Sequence, residues 1–213
     1  NKLIINPHKI DDYLTCPLKF KYIHILEIPV LKYHHVVYGK AIHEAIKFYF
    51  DNKLKNRPLD FDDMVKIFKH NWDSEGFETR QHEDDRFKKG IASLNRFYEN
   101  QEQEFTKPSA IEKDFKFEFE DVVIRGRFDI IYERETNPRV SANEPKDQPA
   151  RNASSIADAG GRKSAYLVEI SDFKTSEIDD QEKANKRAKD SNQLAIYALA
   201  WQTIENKLPN IVS

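Results

Sequence analysis

Val122-Val123-Ile124-Arg125-Gly126-Arg127-Phe128-Asp129-Ile130-Ile131-Tyr132 reads as a strand, apolar at both ends and broken in the middle by charge and a glycine. Just upstream, Phe115, Phe117 and Phe119 alternate with Lys116, Glu118 and Glu120, the period of two expected of a half-buried strand. Asp121 turns one stretch into the other, so the two are expected to form a hairpin. A third strand is expected at Tyr166-Leu167-Val168-Glu169-Ile170-Ser171-Asp172-Phe173. Outward from these strands the period becomes helical. Asn6-Pro7 looks like an N-cap followed by a proline at the first helical position, and Pro17 restarts the chain after Cys16. Longer helices are expected at about 38–55, 61–74 and 84–105, with Ala41, Ile42, Ala45, Ile46 and Tyr49 at helical spacing in the first. Gly39 suggests a capped start or a close approach there. A closing helix at about 190–206 is apolar at Leu194, Tyr197, Ala198 and Trp201. Helices, then strands, then a helix predict an α+β or mixed α/β fold. The expected division is a helical part over 1–107 and a strand-rich core over 108–213, within one compact domain. The stretch 136–164 has no aromatic residue and only Val140 and Ile156 as large apolar ones, so it is read as a flexible hairpin extension.

Composition narrows the function. The 14 Phe, 9 Tyr and 2 Trp supply an ample core although 33% of the 213 residues are charged. Thirty-four basic and 36 acidic residues leave a net charge of −2, which argues against a coating mode of nucleic-acid binding but not against a local basic groove. One cysteine excludes a disulfide framework and a self-contained cysteine-type zinc or iron–sulfur site. No apolar run approaches the length of a membrane span. The chain starts at Asn1 without an initiator Met or signal-peptide pattern, and it reads as a piece of something longer.

The chemistry-bearing residues are two acids and a lysine. Asp172 and Lys174 stand two apart at the end of an apolar strand, so one face is expected to carry both. Asp129 ends the apolar stretch of the preceding strand, where it can meet Asp172. Two neighbouring carboxylates repel, and a divalent cation relieves the repulsion. A lysine beside them can stabilise developing charge or orient an attacking water. Asp-x-Lys triplets also occur at Asp51 and Asp114, so the triplet alone means nothing, and a surface ion pair is the plain alternative. Gln193 and Tyr197 share a helix face four residues apart; a core tyrosine beside a boundary glutamine would look the same. His43, at the edge of an apolar stripe, is either a boundary residue or a ligand. Arg125, Arg127 and Lys116 line either a phosphate groove or a wet strand face. Lys183, Lys186, Arg187 and Lys189 follow four acids and read as a solvated helix start or as phosphate contacts.

Taken in order, these elements resemble the RecB-like branch of the PD-(D/E)XK nucleases, as found at the C-terminus of some UvrD/Rep-type helicases and in AddB and RecB subunits. Tyr13-Leu14-Thr15-Cys16-Pro17 resembles that family's Tyr-x-x-Cys-Pro element, and Gly39-Lys40-Ala41-Ile42-His43 its Gly-x-x-x-His helix. Ile111-Glu112-Lys113-Asp114-Phe115 is similar to its first core strand and Gly126-Arg127-Phe128-Asp129 to its Gly-x-x-Asp strand. Ile170-Ser171-Asp172-Phe173-Lys174-Thr175 is similar to the Asp-x-Lys strand, and Gln193-Leu194-Ala195-Ile196-Tyr197 to the Gln-x-x-x-Tyr helix. The resemblance implies a restriction-endonuclease-like core, a central mixed sheet flanked by helices, with a helical N-terminal subdomain. It implies His43, Asp129, Asp172 and the Phe173 carbonyl as ligands of Mg²⁺ or Mn²⁺, Lys174 as the residue that positions water, and Glu112 as a further acid. Gln193, Tyr197, Arg127 and Thr175 would line the site and the DNA path. The implied protein is a cytoplasmic DNA nuclease in recombination or repair, of exonuclease type, acting on single-stranded or helicase-unwound DNA beside a UvrD/Rep-type helicase. The alternative is an inactive DNA-binding or scaffolding domain. In AddB-type members the cysteine corresponding to Cys16 ligates an iron–sulfur cluster together with three later cysteines; this chain lacks those three, so a cluster is not supported and Cys16 is expected simply to be buried.

Overall fold

The computed structural model describes residues 2–136, 154–157, 163–174 and 180–213. Two compact units account for them. One holds the described residues of Asn1–His24, Pro108–Asp172 and Ile178–Ser213; the other holds those of Ile25–Lys107 and Phe173–Glu177.

The first unit is built on a mixed sheet. Its strands are β1 (Leu3–Ile5), β2 (Ala110–Phe119), β3 (Val122–Thr136), β4 (Ser154–Ala157), β5 (Lys163–Ser171) and β6 (Ile211–Val212). β2 and β3 form the expected hairpin, from Phe119 opposite Val122 out to Ala110 opposite Ile131. The other edge of β3 is shared by two strands in tandem: β1 runs parallel to Val122–Ile124, and β5 runs antiparallel from Ile130 onward. β4 and β6 pair with the far edge of β5. β4 falls within 136–164, where the sequence suggests no strand; residues 137–153 and 158–162 of that extension lie outside the described residues.

Helix α1 (Pro7–Thr15) begins as expected: the Asn6 side chain accepts from Lys9 N, with Pro7 at the first helical position. Cys16 is half-buried rather than buried, and it caps the next helix, α2 (Pro17–Phe20), through a 3.4 Å contact from Lys19 N to Sγ. Asp12, buried at the base of this corner, is held by Lys19 at 2.6 Å and His24 at 2.8 Å. A short π-helical turn follows at Lys21–Ile25. Late in the chain come α6 (Gln181–Lys189), where the sequence suggests a solvated helix start, and α7 (Asn192–Glu205), which matches the closing helix expected at about 190–206.

The core of this unit lies between the sheet and α7. Phe115, Phe128, Ile170, Leu194, Tyr197 and Trp201 belong to it. The Phe128 ring lies 4.6 Å from Phe115 and 5.2 Å from Tyr197, centroid to centroid. Gly126 faces Phe115 across the hairpin, and a Cβ there would meet Phe115 Cζ at 2.4 Å, so the glycine makes room for the ring.

The second unit is helical, with α3 (His34–Leu54), α4 (Phe61–His70) and α5 (Arg80–Gln103). α3 begins at His34, so Gly39 is inside the helix and not at its start. Burial of Ala41, Ala45, Tyr49 and Phe50 along the same helix outweighs the glycine's propensity cost of about 1 kcal/mol. Asp60 and Asp63 form a reciprocal capping box at the start of α4. Gly90 of α5 allows the Phe68 ring to lie against the backbone: a Cβ there would sit 2.4 Å from Cζ.

Candidate functional site

The strand pairings bring two carboxylates together, Glu112 and Asp129, and end next to a third, Asp172. In the β2–β3 hairpin Ile111 faces Ile130 and Lys113 faces Phe128, so Glu112 faces Asp129. In β3–β5 the last pair is Ile130 with Ser171, and Asp172 follows at the strand end nearest Asp129. β5 ends at Ser171, so Asp172 and Lys174 lie beyond the strand and the period-two argument for a shared face does not apply to them. A carboxylate oxygen of Glu112 and one of Asp129 lie within 4.8 Å of each other. Glu112 adopts a left-handed backbone with φ 50°, a costly conformation for a residue with a side chain and one concentrated at working sites. Asp129 is buried and Glu112 partly so.

Asp172 and Glu112 are each oriented by named neighbours. Asp172 Oδ1 accepts from Gln193 Nε2 at 2.6 Å and from the Tyr197 hydroxyl at 3.4 Å. Gln193 Nε2 also donates to the Tyr197 oxygen at 2.8 Å, which fixes the amide between them. Both residues come from the first turns of α7, whose start is set by the Ser191 side chain accepting from Leu194 N. Burial first, then the charges of Asp129 and Asp172, push the Tyr197 phenol well above its ordinary range, so it stays a protonated donor. The backbone N–H of Asp172 donates to the Ser213 carbonyl at 2.7 Å, fixing the chain where it leaves β5. Arg127 joins Asp114 at 2.6 Å and Glu112 at 3.0 Å, and these two acids raise its pKa further still.

The remaining predicted residues are placed as follows. In the helical unit, His43 Nε2 lies 2.9 Å from the Phe173 carbonyl oxygen, and the Phe173 ring packs against Phe50 and Phe97. Lys174 is exposed. Thr175 lies outside the described residues. Sequence reasoning did not reach the left-handed turn of Glu112, the grip of Arg127 on Glu112, or the Ser213 carbonyl behind Asp172. The opposite charges at 112, 114 and 127 were a usable signal for the second of these; the other two left none.

Hard oxygen donors facing each other at this spacing fit a single divalent ion, whose bonds to oxygen run at about 2.0–2.6 Å. The family model described as the PD-(D/E)XK nuclease superfamily matches residues 5–158. The chain belongs to the PD-(D/E)XK nuclease superfamily. Membership implies a nuclease that works through a divalent metal, and it accounts for the mixed sheet with helices beside it. The matched residues include Glu112 and Asp129 but stop short of Asp172, Gln193 and Tyr197; Tyr197, which feels the charges of both Asp129 and Asp172, links the two groups. No curated protein sequence matches the chain. No helix among the described residues is long and apolar enough to cross a membrane.

Proposed function

We propose that this PD-(D/E)XK domain hydrolyses DNA phosphodiesters as a RecB-like exonuclease on single-stranded or helicase-unwound ends, in recombination or repair in the cytoplasm. The observations that support the reading are the facing carboxylates of Glu112 and Asp129 and the hydrogen bonds of Gln193 and Tyr197 to Asp172. The order of the Tyr-x-x-Cys-Pro, Gly-x-x-x-His, Asp-x-Lys and Gln-x-x-x-Tyr elements supports the RecB-like assignment and, with it, a UvrD/Rep-type helicase as partner.

The proposed ligands are Asp129 and Asp172, with Glu112 beside them and His43 and the Phe173 carbonyl completing the set. Carboxylate oxygens suit Mg²⁺ or Mn²⁺, and an imidazole moves the preference towards Mn²⁺. A bound divalent ion supplies Lewis acidity to the phosphoryl oxygen and acidifies water. The chain's own residues do the rest. Gln193 keeps Asp172 turned towards Asp129, and Tyr197 holds Gln193 without adding a charge. Lys174 orients the attacking water and stabilises charge that develops in the transition state. Arg127 and Thr175 line the path of the DNA backbone, with Arg127 turning from its acids to phosphate.

The test is incubation with end-labelled single- and double-stranded DNA in Mn²⁺, Mg²⁺ or EDTA. Metal-dependent release of short products from single-stranded ends is expected. Binding without cleavage in any metal replaces this reading with that of an inactive DNA-binding domain.

A further inference from the structure

We propose that α6 grips the phosphates of the nucleic-acid strand entering or leaving the site; the inference rests on the nuclease reading above. The nine residues of α6 carry Lys183, Lys186, Arg187 and Lys189 against one acid, Glu182, in a chain whose net charge is −2. Lys183, Lys186 and Arg187 stand at i, i+3 and i+4 and so share a face. All four cations are exposed, and Lys183, Lys186 and Lys189 form no ion pair among the described residues. Elsewhere in the sheet unit, Lys2, Lys113, Arg127 and Arg134 are each engaged by acids.

The helix is moored to the site. Ala188 packs against the core, and only Asp190 and Ser191 separate α6 from α7. Asn192 at this joint donates to Asp11 of α1 at 2.8 Å. Gln193, which holds Asp172, follows at once. Lys189 is four residues from Gln193, so their Cα atoms lie within about 14 Å at the ~3.3–3.6 Å per residue of an extended chain. That is the reach of the nucleotides flanking the one being cut.

Electrostatics supply the need. Three carboxylates repel a polyanion, and one divalent ion offsets only part of their charge, so nearby cations are required to hold the backbone. Attraction to the C-terminal end of the α6 dipole accounts for cations in its last turn. It does not account for Lys183, which lies before that turn.

The test is the salt dependence of binding to a fluorescent oligothymidylate in EDTA, read by anisotropy for the parent and for Lys183→Gln/Lys186→Gln/Lys189→Gln. A control carries the same charge change at Lys55, Lys69 and Lys88. Each lost single-strand phosphate contact removes about 0.7 from the slope of log K against log salt, so the triple variant loses about 2 and the control nothing. If the triple variant keeps the parent slope while the parent cleaves DNA in Mn²⁺, this inference is wrong and the nuclease reading stands. A parent that neither binds nor cleaves DNA overturns both. Should the triple variant lose its helical circular dichroism, Lys183→Gln alone decides: a slope smaller by about 0.7 supports the grip, and an unchanged slope overturns it.

Discussion

Asp129→Asn is expected to make the metal-free protein more stable and the metal-loaded protein less so. Asp129 is buried, and one of its oxygens lies within 4.8 Å of one from Glu112. Two unit charges at that separation repel by about 0.9 kcal/mol at water's dielectric and about 3.5 kcal/mol at an effective value of 20. Glu112 is partly solvated and shares Arg127 with Asp114, which places the net gain near the lower end, at about 1–2 kcal/mol. For a chain of this size each kcal/mol moves the midpoint by about 2–4 °C. The assay is urea and thermal unfolding of parent and variant at pH 7, in EDTA and in excess Mn²⁺. In EDTA the variant should melt higher. With metal at about a hundred times its dissociation constant the parent gains about 2.7 kcal/mol, the variant gains little, and the order inverts. A variant that is neutral or less stable in EDTA at pH 7 would refute the argument, because the acids would then not be converging on a shared charge.

Four further outcomes are expected. Lys174→Ala should lower single-turnover cleavage by about 10²–10³ and leave DNA affinity at low salt unchanged, since its charge acts in the transition state. Gln193→Leu removes the 2.6 Å bond to Asp172 and should weaken Mn²⁺ binding by about 10–100-fold in calorimetry, with Tyr197→Phe milder because its own bond is 3.4 Å. Gly126→Ala drives a methyl into Phe115 and should cost about 1–3 kcal/mol in urea unfolding, most of it recovered when Phe115→Leu is added. Burial alone would raise the pKa of Asp12, but Lys19 and His24 hold it below the ordinary carboxylate range, so its contribution is present above the unfolded pKa and lost as the pH falls through the folded one. Asp12→Asn should therefore cost about 1.5–3 kcal/mol at neutral pH, and the two proteins should converge in acid.

The elements that carry their own signal were legible in the sequence. Asn6-Pro7, the alternating phenylalanines of β2 and the apolar run of β3 are local patterns, and the hairpin register follows once they pair. β1 and β6 were not legible: at three and two residues they have no period and exist only because β3 and β5 offer an open edge. The joint between α6 and α7 was blurred because Asp190 and Ser191 suit a helix start as well as a break. The backbone twist at Glu112 is set by tertiary pairing, which no residue type announces.

The tandem sharing of one β3 edge has a cost during synthesis. Leu3 pairs with Val122, 119 residues later, and the whole of α3, α4 and α5 is made in between. At about 5–20 residues per second the ribosome takes roughly 6–24 s to cover that distance. The local helical contacts of 25–107 can close in that interval, whereas the backbone of β1 must wait for its partner in β3. Pairing of β1 is thus a late event, and the nascent chain is most exposed to mispairing before β3 emerges.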